Sequence, residues 1–420
     1  MRILILTQFF DPEPASIPGL SLANWLADRG HQVEVVTGFP NYPGGKFYPN
    51  ASVRIWRREQ LGRVTVNRVI LYPSHDRSAV RRILNYLSFA LSATILGTLA
   101  THRADVTYVY HPPATIGLPA MLWKRFRRIP FVLHVQDLWP DSVMESGMVG
   151  SSVDRHTLER AITAWCSLLY RSASAIAVLS PGFRSILCER GVAAEKIAVV
   201  PNWAEESIFF PLPRDEVLAE ELGLTGKCNL IYSGHLGYYQ GLDIALRAAD
   251  RLRDLADFQL VIVGTGQAEA SLRRLADDLA LENVLFLGRR PYREMAPLTA
   301  LADILLVSLQ DLPFFEATIP SKTQVALACA RPILMAVRGD AAAMATASGA
   351  GLACTPGDVD AFETAVRHLI GLSEDERTAM GERGRAYYLE HLSLEHGASQ
   401  LESLMTQACG GGRAASGAQG

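Results

Sequence analysis

Apolar runs of strand length alternate with helical stretches from the first residues onward, and midway along the chain this alternation breaks and begins again. "RILILTQ" reads as a buried parallel strand and "FFDPEPASIPG" as a Pro-rich loop. "LSLANWLADRG" has helical spacing and stops at Gly30, and "HQVEVVTG" is the next strand. A strand–loop–helix–strand unit of this kind builds an open parallel sheet. "VTYVY", "FVLHVQ", "AIAVLS" and "IAVVPN" continue the strands until Pro201, Pro211 and Pro213 punctuate the chain. Beyond them "NLIYSG", "FQLVIVGTG", "VLFLG", "ILLVS" and "PILMAV" form a second series with helices between. The pattern predicts two doubly wound α/β domains, 1–204 and 205–390. A length of 420 residues, 49% of them hydrophobic, is enough for two cores. Residues 391–408 read as a closing helix and 409–420, "CGGGRAASGAQG", as a disordered tail.

Charge divides along the same line. Up to Ala204 there are 22 Lys+Arg and 14 Asp+Glu, whereas the remainder holds 18 and 29. The six cysteines are widely spaced with no Cys-x-x-Cys pair, the usage of buried thiols in a reducing cytoplasm. "MRILILTQFF" is a short strand with no cleavage region, so a cytoplasmic protein is expected. The longest uncharged apolar run, Tyr86 to Ala100, is short of the ~20 residues that span a bilayer. Arg77, Arg81 and Arg82 precede it and Arg103 follows. It reads as a half-buried helix, with peripheral contact to anionic lipid as the sharper alternative.

Ligands of open parallel sheets bind beyond the carboxyl ends of the strands, so the loops after strands carry the chemistry. Gly19, ending the first such loop, leaves amides at a helix start that favour an anion. "HVQDLWPDS" gathers His134, Asp137, Trp139 and Asp141; Asp141 suits a helix cap, and Asp137 at the strand end suits a sugar or a general base. "YSGHLGYYQGLD" places Gly234, Gly237 and Gly241 around His235 and Gln240, where glycines let the backbone approach phosphate oxygens. "VGTGQ" presents Gly264 and Gly266 but lacks the third glycine of a dinucleotide fingerprint. "IPSKTQ" sets Ser321 and Lys322 at a helix start, a hydroxyl and an ammonium suited to a diphosphate. Four such loops together point to a nucleotide. No metal-ligand set and no nucleic-acid surface is expected.

Taken in order, the strand-one loop, "HVQDLWPD", "VVPNWAE", "YSGHLGYYQGLD", "VGTGQ", "IPSKTQVALACARPIL" and "GERGRAYYLEH" resemble glycosyltransferase family 4 over nearly the whole chain. The nearest likeness is to the bacterial surface-polysaccharide branch that includes N-acetyl-L-fucosamine transferases. The resemblance implies a GT-B fold, two Rossmann-like domains facing a cleft, with the final helix crossing back to the first. It implies a retaining transferase that needs no metal or other cofactor. The second domain would hold a nucleotide-sugar donor, and the acceptor would be a glycan or a polyprenyl-diphosphate-linked glycan at the inner membrane face. Lys322 and Asp137 would then be the catalytic candidates. Gly19, Gly234, His235, Gln240, Gly264, Gly266, Glu316, Ser321 and Gln324 would serve the donor, and Arg81, Arg82, His134 and Trp139 the acceptor. Where the family commonly has Arg and Lys in the glycine loop, this chain has His235 and Gln240. Where the family often has paired glutamates, it has Ala317 and Val325, with Glu316 one place off. Two alternatives stay in view: a catalytically weak binding subunit, which these departures favour, and a nucleotide-sugar epimerase on the same two-domain fold.

Overall fold

The computed structural model describes residues 1–14, 17–75, 78–101, 103–145 and 154–417. The chain forms two units: Met1–Pro201 together with the segment from Gly397 on, and Asn202–His396.

Unit 1 is built on an eight-stranded sheet of order β3-β4-β2-β1-β5-β6-β7-β8. Its first part runs β1 (Arg2–Leu6), α1 (Leu20–Asp28), β2 (Gln32–Gly38), β3 (Trp56–Leu61) and β4 (Val64–Val69). Helix α2 (Ala79–Ser92) continues through a π-turn at Ala93–Gly97 into α3 (Thr98–Ala100). Then come β5 (Val106–His111), α4 (Gly117–Arg127), β6 (Phe131–Val135), α5 (Asp141–Glu145), α6 (Arg155–Ser172), β7 (Ala175–Val178), α7 (Pro181–Glu189) and β8 (Ile197–Val199). Seven strands are parallel, and β3 pairs antiparallel with β4. Strands β1 and β6 are buried almost throughout, as both-face-covered parallel strands must be. The β3–β4 hairpin was not legible as strand. Its edge member "WRREQL" is half exposed and rich in charge, a common way of blunting a sheet edge.

Unit 2 has a six-stranded, all-parallel sheet of order β11-β10-β9-β12-β13-β14. It runs α8 (Glu216–Glu221), β9 (Cys228–Ser233), α9 (Leu242–Arg251), β10 (Phe258–Val263), α10 (Glu269–Asp278), β11 (Val284–Gly288) and α11 (Met295–Ala300). It continues with β12 (Ile304–Ser308), α12 (Ser321–Ala328), β13 (Ile333–Ala336), α13 (Gly339–Ser348), β14 (Gly351–Cys354), α14 (Val359–Gly371) and α15 (Glu374–His391). Leu246 and Ala249 of α9 and Val366 and Leu369 of α14 pack with Leu230, Leu260 and Leu306 of the sheet in one apolar core.

The last helix, α16 (Leu394–Gly417), docks on unit 1 through Glu402, which accepts from Arg29 Nε at 2.9 Å and lies 2.7 Å from His31 Nε2. Residues 409–420 were expected to form a disordered tail, and α16 runs through the start of that segment to Gly417. Cys409 Sγ reaches the Asp105 carbonyl at 3.5 Å and Met1 Sδ at 3.8 Å, which holds the helix on the unit where a tail was expected to begin. Residues 418–420, Arg77 and the 15–16 part of the first loop lie outside the described residues.

Two loops of unit 2 are zipped together by main chain. Gly234 N donates to Val263 O (2.9 Å), Leu236 N to Thr265 O (3.0 Å) and Ala268 N to Leu236 O (2.9 Å). A Cβ at Gly264 would stand 1.8 Å from the Gly234 carbonyl oxygen, and its φ of +138° is strained for any other residue. Gly264→Ala is therefore expected to destabilise the protein by about 2–4 kcal/mol. Gly371→Ala, at the end of α14 with open space around it, should change stability by less than about 1 kcal/mol. Thermal melting of both variants checks this, and equal melting temperatures would contradict it.

Candidate functional site

The carboxyl ends of β9, β10 and β12 carry the loops of interest in unit 2. After β9 the chain turns through a single 3₁₀ turn, Tyr238–Gln240, and Gly241 at φ +60° starts α9. The loop after β12 is fastened to it: Gln310 N donates to Tyr239 O (2.9 Å) and Ser308 Oγ to Gln240 O (2.7 Å). Tyr239 stands edge-on to Phe314 and Phe315, with ring centroids 6.3 and 5.9 Å away. Neighbouring strands thus present one braced surface rather than three separate loops.

Lys322 lies in the first turn of α12, whose cap residue Pro320 offers no side chain to the helix amides. Its Nζ sits 5.0 Å from the Tyr232 ring centroid, a cation over an aromatic face. A Cβ on Gly234 would come within 2.6 Å of Lys322 Cε, so Gly234 makes the room that this side chain occupies. No carboxylate pairs with it among the described residues. Burial pulls its pKa down to about 8. The Tyr232 hydroxyl shares its proton between the His235 carbonyl (2.8 Å) and Gln240 Oε1 (3.1 Å), fixing the glycine loop beneath the ammonium.

The remaining donor-side candidates divide. His235 and Ser321 are exposed, next to Gly234 and Lys322 in the chain. Gly234, Gly264 and Gly266 serve close approach, since a Cβ at Gly266 would meet the Leu236 carbonyl at 2.3 Å. Gln324 turns inward: it is buried, and its amide nitrogen donates to Pro320 O (2.9 Å) and Ser321 O (3.2 Å), bracing the first turn of its own helix. Glu316 is exposed on the loop leading into α12; its carbonyl accepts from Asp340 N at 2.8 Å, and its carboxylate has no hydrogen bond or ion pair among the described residues.

In unit 1 the carboxyl ends of β1, β2, β5 and β6 converge on an aromatic cluster. Phe9, Tyr42 and His75 stack within 4.9–5.6 Å of one another, and Trp139 lies 6.2 Å from Tyr86 and 5.9 Å from His111. Tyr110 joins the two groups: burial raises its pKa, and the Asp137 and Tyr42 charges add to the effect. Burial likewise raises Asp137, opposed by the Ser142 hydroxyl, the Leu138 amide and the Trp139 indole, which donates to Oδ2 at 3.3 Å. Arg82 is half-buried, 3.5 Å from the Tyr86 hydroxyl and with its Nε unpartnered, whereas Arg81 is exposed. Asp141 pairs with Arg190, which also donates to Trp139 O at 2.9 Å and pins the loop.

Two expectations on this side change. His134 cannot face an acceptor: it is fully buried, its Nδ1 2.7 Å from the Tyr108 hydroxyl and its Nε2 accepting from Gln136 at 2.7 Å, and burial lowers its pKa to about 3. Gly19 does begin α1, but Asp11 already fills that end, accepting from Leu20 N at 2.6 Å. The nearby Glu13 accepts from Phe10 N (3.2 Å), Asn41 N (2.7 Å) and Tyr42 N (2.7 Å), tying the first two strand-end loops together. His111 was missed by the motif reading. It ends β5 fully buried, with both ring nitrogens unpartnered and its pKa lowered to about 4 by burial. A histidine before a double proline at a strand end was the available signal.

Among the described residues no cluster of three His, Cys, Asp or Glu side chains could hold a metal ion. The unpaired charge of Lys322 has a stability consequence. Its folded pKa lies below the unfolded value, so the penalty is full below pH 8 and fades as pH rises toward the ordinary lysine value. Lys322→Met is expected to raise stability at pH 7 by about 1–3 kcal/mol and to remove the rise in stability between about pH 8 and 10. Melting curves across that range test this, and a destabilised variant would contradict it.

Comparison with known proteins agrees with this arrangement. Residues 20–203 match the glycosyl transferase 4-like domain and residues 215–387 match glycosyl transferases group 1. WcaI of Escherichia coli (strain K12), named for glycosyl transfer in colanic acid biosynthesis, is 31% identical over 335 residues, 77% of this chain and 80% of that protein. Anabaena Alr3699/HepE in complex with UDP-glucose superposes with a TM-score of 0.68 at 17% identity, covering 97% of this chain and 100% of that one. Sucrose-phosphate synthase from Thermosynechococcus elongatus does so at 0.69 and 17%, covering 97% and 98%. The chain belongs to the family 4-like glycosyltransferases of GT-B fold.

Proposed function

We propose that this transferase takes its sugar from a nucleoside diphosphate, UDP in the first instance, and retains the anomeric configuration without a metal. The observation that carries the reading is Lys322, a half-buried ammonium with no counter-charge among the described residues, at the start of α12 and against the glycine loop. A departing diphosphate supplies the charge that this place lacks. Donors fixed in advance around developing negative charge are the largest single source of rate acceleration in such sites. The UDP-glucose in the HepE structure supports the choice of base.

Glycosyl transfer with retention is written here as a same-face displacement. The bond from the sugar's anomeric carbon to the diphosphate oxygen breaks and a bond to the acceptor oxygen forms. The acceptor proton passes to the leaving diphosphate, which Lys322 stabilises. Gln240 is engaged by Tyr232 and brings no charge, so Lys322 carries the neutralisation that the family commonly shares with loop cations. Glu316 is the free carboxylate nearest in sequence for a ribose. Asp137, Trp139 and Arg82 form the acceptor side, an aromatic platform with one carboxylate and one guanidinium. That chemistry suits a glycan or a polyprenyl-diphosphate-linked glycan, as in bacterial surface-polysaccharide assembly at the cytoplasmic face. The colanic acid role in the name of WcaI supports this setting. N-acetyl-L-fucosamine heads the sugars to screen.

Calorimetric titration with UDP, GDP, dTDP and ADP, each with magnesium or with EDTA, tests the donor. UDP is expected to bind, with the same affinity in both buffers. Binding lost in EDTA would contradict metal independence, preference for another base would move the donor, and binding of none would overturn the reading.

A further inference from the structure

Only five of the 40 Lys and Arg residues are lysines, and Lys322 is the one that is both half-buried and without an acceptor. Lys124 Nζ donates to Ser172 O at 2.6 Å and to Ser174 Oγ at 3.4 Å. Lys196 Nζ donates to Tyr170 O and Arg171 O, both at 2.8 Å, and Lys227 Nζ to Ala256 O at 2.7 Å. Lys46 stands in solvent. Lys322 Nζ has neither a hydrogen-bond acceptor nor a carboxylate among the described residues and lies over the Tyr232 ring. It is not sealed off, so a small molecule reaches it from solvent.

The turn that carries Lys322 favours negative charge. Pro320 gives α12 no side-chain cap, and the first turn has no acidic residue. Thr323 N donates to Pro320 O at 2.9 Å, whereas the amides of Ser321 and Lys322 have no acceptor among the described residues. A carboxylate on the first turn of a helix is stabilised by such amides and by the helix dipole. Burial lowers the Lys322 pKa to about 8, so at that pH about half of the side chain is free amine, the nucleophilic form.

We propose that Lys322 adds carbon dioxide to form a reversible Nζ-carbamate, which closes the donor site. The Nζ lone pair forms a bond to the carbon of CO2, one C=O electron pair moves onto oxygen, and a proton of the attacking nitrogen passes to water. No oxidant is consumed and no group leaves; the reverse step takes the proton back and releases CO2. The product puts a carboxylate on the second residue of α12, within the turn whose Ser321 and Lys322 amides are open. One positive charge becomes one negative charge, so a diphosphate meets repulsion where it otherwise meets a cation. Lys124, Lys196 and Lys227 are poor competitors, because a carbamate on any of them sets carboxylate oxygens against the carbonyls that now accept from its Nζ. Closure of the donor site rests on the reading of Lys322 as the partner of a diphosphate; the carbamate itself does not.

Trapping tests both halves. The full chain is held at pH 8 in isotopically labelled bicarbonate, which supplies dissolved CO2, treated with triethyloxonium tetrafluoroborate to ethylate carbamates, and digested for mass spectrometry. The label is expected on Lys322 at about tenfold or more its level on Lys46, Lys124, Lys196 or Lys227. UDP at about ten times its dissociation constant should lower the Lys322 label by about tenfold. In carbon NMR with the same bicarbonate, Lys322→Arg, which keeps a cation in place, should lose one carbamate resonance that Lys46→Arg retains. An unlabelled Lys322, equal labelling of all five lysines, or an unchanged set of resonances in Lys322→Arg would overturn the carbamate, whatever UDP does. A Lys322 label that UDP leaves unchanged, while calorimetry shows UDP bound, would overturn closure of the donor site. A Lys322 label in a protein that binds none of the nucleoside diphosphates would overturn the donor reading and the closure with it, and the carbamate would stand.

Discussion

Lys322 holds its ammonium over the Tyr232 ring and against the Cα of Gly234, where no carboxylate among the described residues neutralises it. A charge withdrawn from water without a partner costs free energy, and the surrounding structure must supply the difference. Unit 2 does so with backbone. The β9 and β10 loops are zipped through Gly234, Leu236 and Ala268, with Gly264 allowing their close approach, and the β12 loop is fastened to them through Gln310 and Ser308. Gln324 braces the first turn of α12 from inside. Remove the glycines and the loops separate; remove the lysine and the fold relaxes. The first change is expected to harm stability and the second to help it, the pattern of a site held ready for an anion.

Unit 1 treats its polar groups differently. The carboxylates of the first loop are consumed by the fold: Asp11 accepts from the first amide of α1, and Glu13 gathers three amides. His134 is held within the sheet by Tyr108 and Gln136. What remains open is aromatic surface around Asp137, with Trp139, Tyr86 and Arg82. Such surface suits the apolar faces of a sugar ring, while one carboxylate and one guanidinium orient it.

The restart of the strand–helix alternation was legible because parallel strands covered on both faces read as continuous apolar runs, as in "RILIL" and "FVLHV". The β3–β4 hairpin was not, because an exposed edge carries charges where a pattern search expects apolar residues. Lys322 was legible as a cation at a helix start, but its lack of a counter-charge was not, since that depends on Tyr232 and Gly234, some ninety residues earlier in the chain. Gly264 and Gly266 read as a ligand loop, whereas their tightest contacts are with the neighbouring loop. Sequence spacing reports which residues reach a strand end. It does not report whether a neighbouring side chain has already taken the place.

The most direct test of the account is the pKa of Lys322, followed by NMR of its Cε resonance with and without UDP. The account predicts a value near 8 in the free protein and a rise of at least about one unit when UDP is bound, because a diphosphate favours the charged form. An ordinary lysine value in the free protein, or a value unmoved by saturating UDP, would contradict it.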